Sequence, residues 1–270
     1  MSLLTSIALA LCLVLVSCGT DGDEPTPAGN ATSLPRAENV VGVGLTEYSF
    51  DMPDEVLGGT VTFRATNTGA LPHEVAFGSV QGDRTMDDVL KALESRDPPP
   101  WLEDLAGIPV LSSGVTAAMT RDLDEGNYVF LCFLPTPEGR PHAAEGMVKF
   151  FSVSGESDAE PPPADFTITV TDDGFDVPEI TAGTHTIELV NGGTKPHEFA
   201  IYSLEPGKTE RDIDKWFGSG LKGESPAVFP GGMQSVDPET TIVVELTFES
   251  GRTYLLQDFE NQLEAEIAVP

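Results

Sequence analysis

Phe50-Asp51-Met52-Pro53 recurs as Phe175-Asp176-Val177-Pro178, and after one extra residue in the first copy the chain repeats itself at a constant offset of 124. The offset pairs Gly59 with Gly183, Thr60 with Thr184, Asn67 with Asn191, Gly69 with Gly193, and Pro72-His73-Glu74 with Pro196-His197-Glu198. It also pairs Thr85-x-x-Asp88 with Thr209-x-x-Asp212, each a capping-box signature that opens a short amphipathic helix. So many coincidences at one spacing make a duplication, and a duplication restricts the fold to one that each half can adopt.

Two stretches fall outside the repeat. Residues 19–40 are small, polar and Pro-containing without any period, and read as a flexible tether reaching about 25 Å on a root-mean-square basis. Residues 154–165 (SGESDAEPPPAD) are an acidic linker with three consecutive prolines. Domains are therefore expected at 41–153 and 166–270. Within each copy the apolar period is two: Val61, Phe63 and Ala65 alternate with Thr62, Arg64 and Thr66, and Ile187 and Leu189 with Thr186 and Glu188. Tyr128-Val129-Phe130-Leu131 is a continuous apolar run, as a strand buried between sheets requires, and residues 147–153 close the first copy as a final strand. The expected fold is all-β, two tandem Greek-key β-sandwiches, each with a short helical insertion at 85–95 or 209–217.

The N-terminus points to export. Residues 3–16 form an apolar run too short to span a bilayer comfortably. It ends in Leu15-Val16-Ser17-Cys18, which resembles the bacterial lipobox, where the signal is cleaved before a cysteine whose thiol is lipidated. Residues 1–18 are thus expected to be a lipoprotein signal with Cys18 as the lipidation site, although residues 1–17 contain no Lys or Arg. The alternative is an ordinary secretory signal with an incidental cysteine. Both place the mature protein outside the cytoplasm, and the first anchors it in the membrane, periplasmic or at the cell surface. The net charge of −30, from 14 Lys+Arg against 44 Asp+Glu, repels phosphate backbones and argues against nucleic-acid binding.

An exported chain with Cys132 as its only other cysteine besides Cys12 and Cys18 has no evident disulfide to build. A lone thiol in an oxidising compartment is buried, reactive or bound to something. His73 follows a strand and a turn, Cys132 ends the buried strand, and His142 and Met147 sit on the approach to the final strand. This order, carried by Pro72-His73-Glu74, Tyr128-Val129-Phe130-Leu131-Cys132 and Pro141-His142-Ala143-Ala144-Glu145-Gly146-Met147, resembles the cupredoxin, or blue copper, family. The resemblance implies one type 1-like copper in the first domain, with His73, Cys132 and His142 as equatorial ligands and Met147 as the axial one. Two imidazoles and a thiolate serve both copper oxidation states, and a weak axial thioether tunes the potential. The nine-residue spacer between Cys132 and His142 is longer than in familiar cupredoxins, which leaves room for a perturbed blue, green or red site.

The second copy is an internal control. Tyr254 aligns with Tyr128, Asp258 falls where Cys132 sits, and Leu263 aligns with Met147. Fourteen residues separate Cys132 from Met147 but only four separate Asp258 from Leu263, so the counterpart of His142 is gone and only His197 remains. The second domain is expected to keep the fold without the metal. Multicopper oxidases and copper nitrite reductases resemble linked cupredoxins but place histidines beside the cysteine and add His-x-His pairs. Here Leu131 and Phe133 flank Cys132, and the chain has four histidines in all, so it is expected not to be an enzyme. The function implied is a membrane-anchored extracytoplasmic carrier of single electrons, whose acidic surface steers a redox protein with a basic surface. Copper holding or delivery without electron transfer, and a pair of metal-free binding or adhesion sandwiches, are the alternatives.

Overall fold

The computed structural model describes residues 38–92 and 99–270. The expected signal, the lipidation at Cys18, nearly all of the tether and the end of the first helical insertion lie outside them. Alternating sequence becomes strands with one buried face, as at 59–67 and 183–191, while the continuous apolar run at 128–131 is buried on both. The first copy supplies β1 (Val40–Thr46), β2 (Ser49–Asp51), β3 (Glu55–Leu57), β4 (Gly59–Asn67) and β5 (His73–Val80), then α1 (Met86–Ala92), β6 (Leu102–Asp104), β7 (Ile108–Leu111), β8 (Thr116–Leu123), β9 (Gly126–Leu131) and β10 (Val148–Ser154). The second supplies β11 (Phe166–Thr171), β12 (Gly174–Asp176), β13 (Gly183–Asn191), β14 (His197–Leu204), α2 (Glu210–Gly218), β15 (Ala227–Val236), β16 (Thr241–Phe248), β17 (Thr253–Asp258) and β18 (Leu263–Ala268). Both capping boxes form: Thr85 and Asp88, like Thr209 and Asp212, exchange side-chain-to-backbone hydrogen bonds.

Each half is the sandwich that the alternation implies, but the halves share both sheets. One sheet runs β12-β11-β13-β16-β8-β4-β1-β2 and the other β18-β17-β14-β15-β7-β5-β9-β10-β3, with β6 paired to β5 as its tenth strand. The joint in the first sheet is β8 against β16, with Met119 opposite Val244 and Thr120 opposite Val243. Gly59 faces Leu123 and Gly183 faces Phe248, so the copies are offset by 125 at these strands and Met119 faces its own counterpart, Val244. That is the self-complementary pairing of a two-fold dimer, formed here within one chain. Arg64 and Glu245 reinforce it with an ion pair, and Ser112 N–H donates to Phe229 O across the second sheet at 3.0 Å. One apolar core, including Phe63, Phe130, Leu189 and Phe248, runs through both halves.

A bulge recurs at the start of β5, between His73 and Val75, and at the start of β14, between His197 and Phe199. Bulges re-aim side chains, and here each turns the histidine of a Pro-His-Glu motif inward, leaving both histidines buried. The facing backbone comes so close that a Cβ on Gly107 would lie 1.8 Å from Val75 O, and one on Gly232 would lie 1.9 Å from Phe199 O.

Candidate metal centre

His73 opens β5 and Cys132 follows β9, and these strands pair with Ala76 opposite Leu131, so topology alone brings the two to one end of the first sandwich. His142 returns to that end because the long spacer folds on itself. Pro135 and Pro141 form a β-bridge, Thr136 N–H donates to Arg140 O at 2.6 Å, and Gly139 N–H donates to Thr136 O at 2.8 Å. The loop is a closed hairpin. Beyond it, His142 N–H donates to Leu134 O at 2.9 Å and Ala143 N–H to Cys132 O at 2.7 Å. One 3-10 turn, His142–Glu145, ends at Gly146, whose φ of 111° lies where a side chain is strained. Met147 is then tied to both neighbours, its N–H donating to His142 O at 3.0 Å and its carbonyl accepting from Cys132 N–H at 3.3 Å.

Three donors converge. His142 Nδ1 lies 3.3 Å from His73 Nδ1 and 3.4 Å from Cys132 Sγ, and ligand atoms of all three residues lie within 4.8 Å of one another. Each of the three, and Met147, is fully buried. Tyr48 covers His142 edge-on, with ring centroids 5.0 Å apart, from a left-handed backbone (φ 63°) that a bulky residue seldom adopts.

Burial, aided by the neighbouring His142, pushes His73 down to about 4, and burial likewise lowers His142. Burial first, and the carboxylate of Glu74 second, push the Cys132 thiol up to about 12. Without metal the cluster therefore holds two neutral imidazoles and a thiol at neutral pH. Donor edges of 3.3–3.4 Å are a few tenths of an ångström under the ~3.5–3.7 Å expected around a trigonal first-row ion with bonds of about 2.0 Å to nitrogen and 2.3 Å to sulfur. The donor set fits copper: soft thiolate and imidazole together, shielded from water.

Around it stand residues that sequence reasoning did not assign. Asn67, fully buried, donates to Leu71 O at 2.8 Å and Leu111 O at 2.9 Å while accepting from Gly69 N–H at 3.0 Å, which locks the loop ahead of His73. Asn191 repeats all three contacts, so the signal was present in the offset of 124. Glu74 accepts from Phe133 N–H at 2.6 Å, and Glu198 accepts from Phe259 N–H at 3.0 Å. The glutamate of Pro-His-Glu thus clamps the backbone just past the cysteine position, which explains why the motif persists in a copy without the cysteine.

In the second copy, His197 Nδ1 lies 2.6 Å from Asp258 Oδ2 and Nε2 lies 3.1 Å from Asp172 Oδ1. Asp258 occupies the place of Cys132 and Asp172 that of Glu47. A hydrogen-bonded Asp172–His197–Asp258 triad fills the position where the first copy gathers metal donors, and His185 is tied instead to Thr181 O at 2.9 Å.

No family model and no curated protein matches the chain. Among solved structures it is similar to the reduced auracyanin of Roseiflexus castenholzii, at 26% identity over 44% of this chain and 98% of that one, with a TM-score of 0.32. It is also similar to a multicopper oxidase, at 15% identity over 88% of this chain and 91% of that one, with a TM-score of 0.28. A third match is the copper-containing nitrite reductase of Thermus scotoductus, at 11% identity over 86% of this chain and 61% of that one, with a TM-score of 0.23. The fold is cupredoxin-like. The expectation that the chain is not an enzyme is corrected by these matches: two of the three, spanning most of its length, are an oxidase and a reductase. The exclusion had rested on Leu131 and Phe133 beside Cys132, on missing His-x-His pairs and on four histidines in all, which argue against a trinuclear cluster and not against every enzyme. Among the described residues no helix is long and apolar enough to cross a membrane.

Proposed function

We propose that the first cupredoxin-like domain binds one type 1-like copper through His73, Cys132 and His142, with Met147 as axial ligand, and that the protein exchanges single electrons with a redox partner. The observation that carries this reading is the convergence of two imidazole Nδ1 atoms and one thiol Sγ at a buried end of the sandwich. Copper bound there would supply a one-electron couple. The chain's own part is to hold the donors: the bulge aims His73, the spacer hairpin returns His142, and Met147 is fixed by backbone bonds to both neighbouring ligands. Donors that cannot move keep reorganisation small, which favours fast electron exchange. Burial excludes water from all four.

Export and lipid anchoring at Cys18 belong to the same reading, supported by the lipobox-like string. The net charge of −30 would steer a partner with a basic surface, and that encounter should slow as salt is added. The test is copper titration of residues 19–270 followed by visible absorption. An intense thiolate-to-copper band saturating at one ion per chain, and lost in Cys132→Ser, is expected. No band, with Cys132 open to thiol reagents, would overturn the proposal.

A further inference from the structure

A cleft of about 580 Å³ opens on the second half, between α2 and the outer face of the shared ten-stranded sheet. Its floor is apolar and aromatic, formed by Phe217 over the buried Ile213, Phe229 and Met233. Phe229 lies 6.1 Å from both Phe217 and Tyr202, ring centroid to centroid. Glu210, Asp214 and Glu264 stand over that floor, Glu74 and Glu198 close the end nearest the first half, and no Lys, Arg or His lines it.

Carboxylates on a surface this acidic would mean little alone. Two largely buried side chains that line the cleft each carry a polar atom without a protein partner, however. Tyr202 is 3% exposed and its hydroxyl makes no hydrogen bond among the described residues, while Gln257 is 8% exposed and its Oε1 is unpaired. Burial first, then the carboxylates of Glu210, Glu264 and Asp214, raise the Tyr202 phenol. Gln257 has spent its amide hydrogens on Glu210 and Glu264, at 3.3 and 3.0 Å, and so cannot neutralise either. Buried polar groups normally find partners.

We infer that this cleft binds a small amphipathic organic cation, an ammonium group on an apolar or aromatic stem. The stem lies on the floor against Phe217, Phe229 and Met233. The ammonium is held by Glu210, Asp214 and Glu264, with aromatic faces adding attraction. An inorganic cation would leave the aromatic floor unused, and a neutral molecule would leave the carboxylates uncompensated. The inference does not depend on copper.

The experiment is calorimetric titration of the full chain in non-ionic detergent with 2-phenylethylammonium, and with neutral 2-phenylethanol as its control. One saturable site is expected for the ammonium, with the alcohol about tenfold weaker or worse. A Glu210→Gln/Asp214→Asn variant, checked for unchanged circular dichroism, should weaken the ammonium by about tenfold, because its charged partners are gone. Asp124→Asn/Glu125→Gln removes the same charge from the loop after β8 and should change affinity by no more than about twofold. Absence of saturation, equal binding of the alcohol, or equal weakening by the two variants would overturn the inference. The last result would mean a diffuse response to net charge.

Discussion

At the scale of single residues, the two copies show two ways of satisfying a buried histidine. His73 is kept neutral by burial and shares its space with donors for a metal, whereas His197 has a carboxylate at each ring nitrogen. His197→Ala would leave Asp258 buried with Asn261 as its remaining partner, and should destabilise the protein by about 1–3 kcal/mol, measured by urea unfolding. Acid acts on the copies in different windows. His73 folds with a value near 4 against 6.5 when free, so metal-free protein should keep full stability above pH 6.5 and lose part of it as pH falls towards 4. Asp172 is lowered chiefly by its bonds from Thr194, and Asp258 is held low by Asn261 and His197 in spite of burial. Their contribution is present above 3.8 and is lost only below it. Urea midpoints taken across this range would show the first loss well above pH 4, and stability unchanged from pH 7 to 4 would contradict it. Because the metal-free thiol is raised to about 12, each ion bound displaces a proton, and apparent copper affinity should climb about tenfold per pH unit near neutrality.

Elements decide whether the ligands meet. The spacer hairpin is packed from outside: Gly220, just past α2 with φ 76°, sits so close that a Cβ there would lie 2.4 Å from Thr136 O. Gly220→Ala should therefore displace the hairpin that returns His142, and so shift or weaken the thiolate-to-copper band, at a stability cost of about 1–3 kcal/mol. An unchanged spectrum would show that the hairpin holds its shape without this support. Asn67→Ala strands Leu71 O, Leu111 O and Gly69 N–H in the interior, and should cost about 2–4 kcal/mol in chemical denaturation.

Across the whole molecule, the second half supports the first. It contributes Gly220 against the ligand hairpin and Gln234, whose amide donates to Glu74 at 3.2 Å, while Glu74 holds Phe133 N–H beside Cys132. Because both sheets and the core run through the joint, the folded part should unfold as one cooperative unit, with calorimetric and van't Hoff enthalpies equal. Two separated transitions would mean that β8–β16 and β7–β15 pairing is weak. Cutting the chain in the 154–165 linker and isolating the first half would bare the edges of β7 and β8, and that fragment should aggregate.

What the sequence determined by itself is whatever repeats or alternates. The duplication, the period of two and the capping boxes dictated two sandwiches with a short helix each, because burial of one strand face and satisfaction of a helix end are local requirements. His73, Cys132 and His142 could be picked out because their order along the chain resembles the cupredoxin pattern, and that resemblance supplied the roles. The tertiary structure alone decided that the nine-residue spacer closes as a hairpin, since Pro135 and Pro141 meet through backbone geometry that no residue type encodes. It alone decided that Asp258 answers His197, and that the halves merge edge to edge. Those outcomes depend on which groups lie close in space after folding, and separation along the chain, 61 residues in the case of His197 and Asp258, carries no trace of that.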